Sequence, residues 1–123
     1  LTIVKLVMDT PQEVEVWFIM PALRKHFVNG FKKNNVKQKD IANRMNLTQA
    51  AVSQYTKNKR GNNVSFDEKI VRKINDSCKY IITQNDFRMR FQKILKEIKK
   101  SKTMCNVCHD HIDTDIKCNI CYA

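Results

Sequence analysis

Gln38-Lys39-Asp40-Ile41-Ala42-Asn43-Arg44-Met45-Asn46-Leu47-Thr48-Gln49-Ala50-Ala51-Val52-Ser53-Gln54-Tyr55 is the run around which the chain is organised. Val36, Ile41, Ala42 and Met45 are apolar at spacings that fit one face of a helix. Asn46 tolerates the left-handed backbone that ends a helix, and Leu47 turns the chain inward. Thr48 can cap a second helix over 49–57 that faces Val52 and Tyr55 to the core. Two helices joined by so short a turn make a helix-turn-helix unit.

Upstream, Thr10-Pro11-Gln12-Glu13 reads as a helix start, with Thr10 as cap, Pro11 at the first position and Glu13 completing a capping box. Val14, Trp17, Phe18 and Pro21 follow at helical spacing. Glu13-Val14-Glu15-Val16 alternates with period two, which is the strand alternative, and the cap decides for helix. Pro21 lacks a backbone donor, so a kink or break is expected there. Leu23, Phe27 and Phe31 extend the stripe toward Asn34-Asn35.

Downstream, Lys57-Asn58-Lys59-Arg60-Gly61-Asn62-Asn63 reads as a basic loop. Ser65-Phe66-Asp67-Glu68 is a second capping box, opening a helix with Ile70, Val71, Ile74, Cys78, Ile81 and Ile82. Gln84-Asn85-Asp86 is expected to interrupt it. Phe87, Phe91, Ile94, Leu95 and Ile98 mark another amphipathic helix, with a lysine-rich exit over 96–102. Cys78, on an apolar face, is expected in the core.

The chain has 123 residues, 42% of them apolar, with two Gly and two Pro, which suits one helical domain plus a small appendage. No apolar run approaches the roughly 18 residues of a membrane span, so no membrane partner is expected. Leu1 is an unusual first residue: a non-standard start, or a chain lacking its true start, with Met8 another candidate. No signal peptide is evident in the first eight residues, and a reducing, cytoplasmic setting is expected.

The net charge of +11 is concentrated: residues 24–60 carry ten basic groups against Asp40 alone. A positive centre of that density suits a polyanion. A helix opening at Thr48 and running over 48–57 would point its amino end into the major groove. Gln49, Ala50, Ser53 and Gln54 then lie on or near its exposed face. Gln pairs bidentately with adenine, and Ala touches a thymine methyl. Lys37, Lys39, Lys57, Lys59 and Arg60 flank the groove as candidate phosphate contacts, though plain solvation is as good an account of any single lysine.

The run 38–55 resembles the helix-turn-helix of lambda-repressor-type (XRE) regulators, with Asn46 where that family usually has Gly. The stretch from Glu13 through Met20-Pro21-Ala22-Leu23-Arg24, with 48–55 and Lys59-Arg60-Gly61, extends the likeness to a group of archaeal XRE-type transcriptional regulators, which tend to carry a cysteine-bearing tail. The resemblance implies a lambda-repressor-like all-α bundle. It also implies that Gln38 braces Gln49 against phosphate while Gln49 reads a base.

Cys105-Asn106-Val107-Cys108 and Cys118-Asn119-Ile120-Cys121 are two C-x-x-C pairs. Each can present two thiolates, and together they can form a tetrahedral four-sulfur site. Zn²⁺ is the expected metal, with a [4Fe–4S] cluster the alternative. A zinc site would be structural and a cluster would sense redox state. Structural disulfides are the rival account, disfavoured in a reducing compartment. His109 and His111 follow the first pair directly; either could replace a cysteine as ligand, but they are read as exposed or as backing the ligands.

The expected organisation is a segment at 1–9, a DNA-binding helix-turn-helix domain at 10–64, a helical support or dimerisation segment at 65–102 and a metal-binding tail at 103–123. The expected function is sequence-specific regulation of transcription on double-stranded DNA, by a homodimer because one helix reads few bases. A small-molecule effector is left open. The alternative is a protein-interaction adaptor of the transcription machinery. An enzyme is disfavoured: the four cysteines look committed to a closed site, and the chain has no Gly-rich phosphate loop.

Overall fold

A computed structural model describes residues 10–57, 61 and 64–101. Among the described residues every regular element is helical. In chain order they are α1 (Pro11–Val14), a π-helical turn (Glu15–Ile19), α2 (Met20–Lys33), α3 (Gln38–Met45), α4 (Gln49–Thr56), α5 (Glu68–Cys78) and α6 (Gln84–Lys100). No helix among the described residues is long and apolar enough to cross a membrane.

Thr10 caps α1 as expected: the Glu13 N–H donates to its Oγ1 at 3.3 Å, while the Thr10 hydroxyl donates to the Glu13 carboxylate at 3.0 Å. Pro21 does not break the helix. The backbone stays helical through Val14, Ile19 and Met20. The turn before the proline widens instead, with the Met20 N–H donating to the Glu15 oxygen five residues back. A widened turn makes room where the proline withdraws a donor and crowds the preceding carbonyl. It also shifts the helix phase, so Phe18 and Ile19 are both buried while Trp17, expected on the apolar stripe, is 56% exposed.

α2 is the central rod, packing against α3, α4, α5 and α6. Its Leu23, Phe27, Val28 and Phe31 are fully buried. Complete burial of one such side chain contributes about 1.5–3 kcal/mol. Phe27 meets Phe87 edge-on at a centroid distance of 5.2 Å, and Phe87 meets Phe91 at 5.3 Å. One apolar cluster runs from Val14 to Ile98, so the segments 10–64 and 65–101 share a core.

Gly30 lets α2 and α5 approach closely: a Cβ there would lie 2.8 Å from Cys78 Sγ and 3.0 Å from Asn75 Oδ1. Cys78 is buried, as its apolar face predicted, and its thiol donates to the Phe27 oxygen at 3.6 Å. Burial pushes that thiol up to about 12 from an ordinary value of 9.0.

Two boundaries differ from the sequence expectation. α5 is capped by Asp67, whose carboxylate accepts from the Ile70 N–H at 2.9 Å, and not by Ser65. Val64 is buried and Phe66 half-buried just before it, so the chain at Ser65 still runs along the core ahead of the helix. α5 ends at Cys78, and Ile81 and Ile82 lie in the connection to α6; Ile81 is buried and Ile82 exposed. Gln84-Asn85-Asp86 opens α6 and interrupts nothing. Thr83 and Asp86 form a reciprocal capping box there. The backbone N–H groups of Thr83 and Ile82 hold the Asp86 carboxyl below its usual range. Phe87, Phe91, Ile94, Leu95 and Ile98 are all buried in the single chain.

Candidate nucleic-acid interface

α3 and α4 meet through local chemistry that the sequence specifies. Asn46 ends α3 at φ 53° and ψ 47°, the left-handed conformation expected of it. Its neighbour Leu47 donates its N–H to the Ala42 oxygen at 2.8 Å and packs half-buried on the core. Thr48, with extended backbone, caps α4 by accepting from the Ala51 N–H at 3.1 Å. Ile41, Ala42 and Met45 of α3, and Val52 and Tyr55 of α4, are buried. Arg44 ties the end of α3 to the α5–α6 connection, donating to the Ile81 oxygen at 3.2 Å.

The amino ends of the two helices are joined directly. Gln38 Nε2 donates to the main-chain oxygen of Gln49 at 3.0 Å. The acceptor is backbone, so the Gln49 side chain takes no part in this bond. Thr48, Gln49 and Ala50 are exposed beside it, and Ser53 is half-buried one turn on. Gln54 sits lower than a freely exposed position: it is half-buried, and its Oε1 is buried without a hydrogen-bond partner among the described residues. Lys37, Lys39 and Lys57 are exposed, Lys37 just before α3 and Lys57 just after α4.

Lys59 and Arg60 lie outside the described residues. Gly61, the next one, has φ +74°, and a Cβ there would come within 2.6 Å of the Pro21 oxygen. That close approach sets Gly61 against the start of α2. His26 of α2 packs against Phe66 with ring centroids 5.3 Å apart. Burial, then the charges of Lys25 and Lys33, hold His26 below its ordinary value of 6.5.

The four tail cysteines, Cys105, Cys108, Cys118 and Cys121, also lie outside the described residues. Among the described residues no group of three or more His, Cys, Asp or Glu is placed to hold a metal.

Sequence reasoning did not single out Arg24, Arg44 and Arg88, which line one groove with the turn after α3. They come from three different helices and share no spacing, so no local signal announces them. Compared with known proteins, the chain matches no family model, no curated protein and no solved structure.

Proposed function

We propose that the chain is a sequence-specific regulator of transcription that binds double-stranded DNA through a lambda-repressor-like helix-turn-helix made of α3 and α4. The observation that carries this reading is the bond from Gln38 Nε2 to the Gln49 oxygen. It locks the amino ends of both helices together and leaves Thr48, Gln49 and Ala50 exposed at one edge. A helix presented by its amino end suits the major groove and the phosphates beside it. Gln49 and Ser53 are the proposed base-reading side chains, with Ala50 against a thymine methyl. Gln54, half-buried, sits at the margin of that face. Lys37, Lys39 and Lys57, with Lys59 and Arg60 of the following loop, supply phosphate contacts that set register.

Binding as a homodimer and a metal in the tail belong to the same proposal. Four thiolates in two C-x-x-C pairs suit Zn²⁺ or a [4Fe–4S] cluster. The first would stabilise the tail and the second would make it redox-sensitive. Metal analysis with an absorption spectrum, on protein purified without oxygen, separates the two.

The test of the DNA reading is selection of bound duplexes from a random pool, then titration of the best duplex against a scrambled one. The Gln49→Ala, Ser53→Ala double variant should lose the preference for the selected duplex while keeping salt-dependent binding to both. A preference that survives in this variant sinks the recognition-helix assignment.

A further inference from the structure

A groove of about 420 Å³ lies between the carboxy end of α3 with its turn, the start of α2 and one face of α6. Its lining is mainly apolar, with Met20, Met45, Phe87, Phe91 and Leu95 contributing side chains. Its charged groups are Arg24, Arg44 and Arg88, and no carboxylate lines it. Each guanidinium is held by a group that leaves its charge in place. Arg24 lies over the Phe91 ring at 5.5 Å from the centroid. Arg44 lies 5.8 Å from the Phe31 centroid and donates to the Ile81 oxygen. Arg88 donates to Gln84 Oε1 at 3.5 Å. Among the described residues, none of the ion pairs engages any of the three.

We propose that this groove binds a small organic anion, a carboxylate carrying an apolar body. The argument is complementarity on two counts. Three positive groups with no counter-charge among the described residues, around a mainly apolar groove, favour an anion, and guanidinium matches a carboxylate bidentately. The apolar floor favours a hydrocarbon or aromatic body, which a bare inorganic ion and the phosphate backbone of DNA both lack. The volume falls in the range of small-molecule sites, about 300–1,000 Å³. Met20 and Met45 adapt to the shape of what enters. An occupant would touch Asn46 and Leu47 on one wall and Gln84 and Gln92 on another, bridging the turn before α4 to α6. The proposal stands apart from the DNA reading, since the groove and its charges are the same whether or not α4 reads bases.

The test is calorimetric titration of the full chain with three probes: octanoate, octanamide and inorganic phosphate. Octanoate should bind saturably, and octanamide, of the same body without the charge, about ten-fold more weakly or not at all. Phosphate alone should not saturate. Arg88→Gln and Gln92→Glu both change exposed positions on α6. The first removes a positive group and the second adds a negative one, and each should weaken octanoate about five- to ten-fold. A thermal melt of each variant establishes that it is folded. Equal binding of octanoate and octanamide, saturation by phosphate at the same concentrations, no binding of octanoate, or unchanged affinity in both folded variants would each overturn the proposal.

Discussion

The Gln38 side-chain amide bonds the backbone of Gln49, across 3.0 Å and between the first turns of two helices. The two residues are therefore not interchangeable. Gln49→Ala keeps the acceptor and loses only a side chain. Gln38→Ala loses the donor and with it this link between the two amino ends. In DNA titrations Gln49→Ala should lose discrimination at one base pair, at a cost of about 1–3 kcal/mol on the preferred duplex. Gln38→Ala should weaken all duplexes by a similar factor. The opposite pattern, a general loss from Gln49→Ala and a base-specific one from Gln38→Ala, would reverse the roles.

Gly30 is where α2 and α5 come closest, and its prediction concerns stability. A methyl group there meets Cys78 Sγ at 2.8 Å, and overpacking of this kind costs about 1–3 kcal/mol. Alanine's better helix propensity offsets roughly 1 kcal/mol of that. Gly30→Ala should lower the urea midpoint, and adding Cys78→Ala to it should recover part of the loss. A double variant no better than the sum of the single changes would show that Asn75, not Cys78, sets the limit.

The Cys78 thiol stays protonated throughout the ordinary range, because burial pushes it up to about 12. The thiolate is the nucleophile in alkylation. Native protein treated with iodoacetamide at neutral pH should leave Cys78 unmodified, and denatured protein should be modified there. Peptide mapping by mass spectrometry separates this cysteine from those of the tail. Rapid modification of Cys78 in the native state would contradict its burial.

His26 gives the fold a pH dependence of known sign. Its folded value lies below the ordinary 6.5, chiefly through burial and then through Lys25 and Lys33. The unfolded chain therefore takes up the proton first as pH falls. The contribution is present above about 6.5 and is lost as pH drops from there through the depressed folded value. Thermal melts should show stability declining on going below pH 6.5, and His26→Gln should flatten that part of the profile. A profile equally steep in the variant would assign the decline to carboxylates.

The pair α3 and α4 was legible because its signals are short-range. Asn46 supplies the left-handed stop, Thr48 the cap, and Ile41, Ala42, Met45, Val52 and Tyr55 the buried face. The start of α5 was harder. Ser65 and Asp67 both carry capping oxygens, and the choice falls to Asp67 because Val64 and Phe66 pack on the core before the helix begins. That is tertiary information. The end of α5 was misread for the same reason: Ile81 satisfies the apolar pattern of a helix while sitting in a connection. At the candidate interface, the resemblance to lambda-repressor-type helix-turn-helices paired Gln38 with Gln49, and a hydrogen bond joins the two. The resemblance did not reveal that the acceptor is backbone, nor that Gln54 sinks to a half-buried position. The arginine-lined groove was invisible, because it exists only once α2, α3 and α6 are packed.

The π-helical turn before Pro21 also equips the molecule with an optical gauge. Trp17 is the chain's single tryptophan, and it stands more than half exposed because that turn carries one residue more than an α-helical one. One residue corresponds to about 100° of rotation in a regular helix. A substitution that let the turn relax to ordinary pitch, such as Pro21→Ala, would turn the indole around the helix axis and change its exposure. The emission maximum would then shift. Intrinsic fluorescence thus reports the winding of this one turn, against a background free of any other indole.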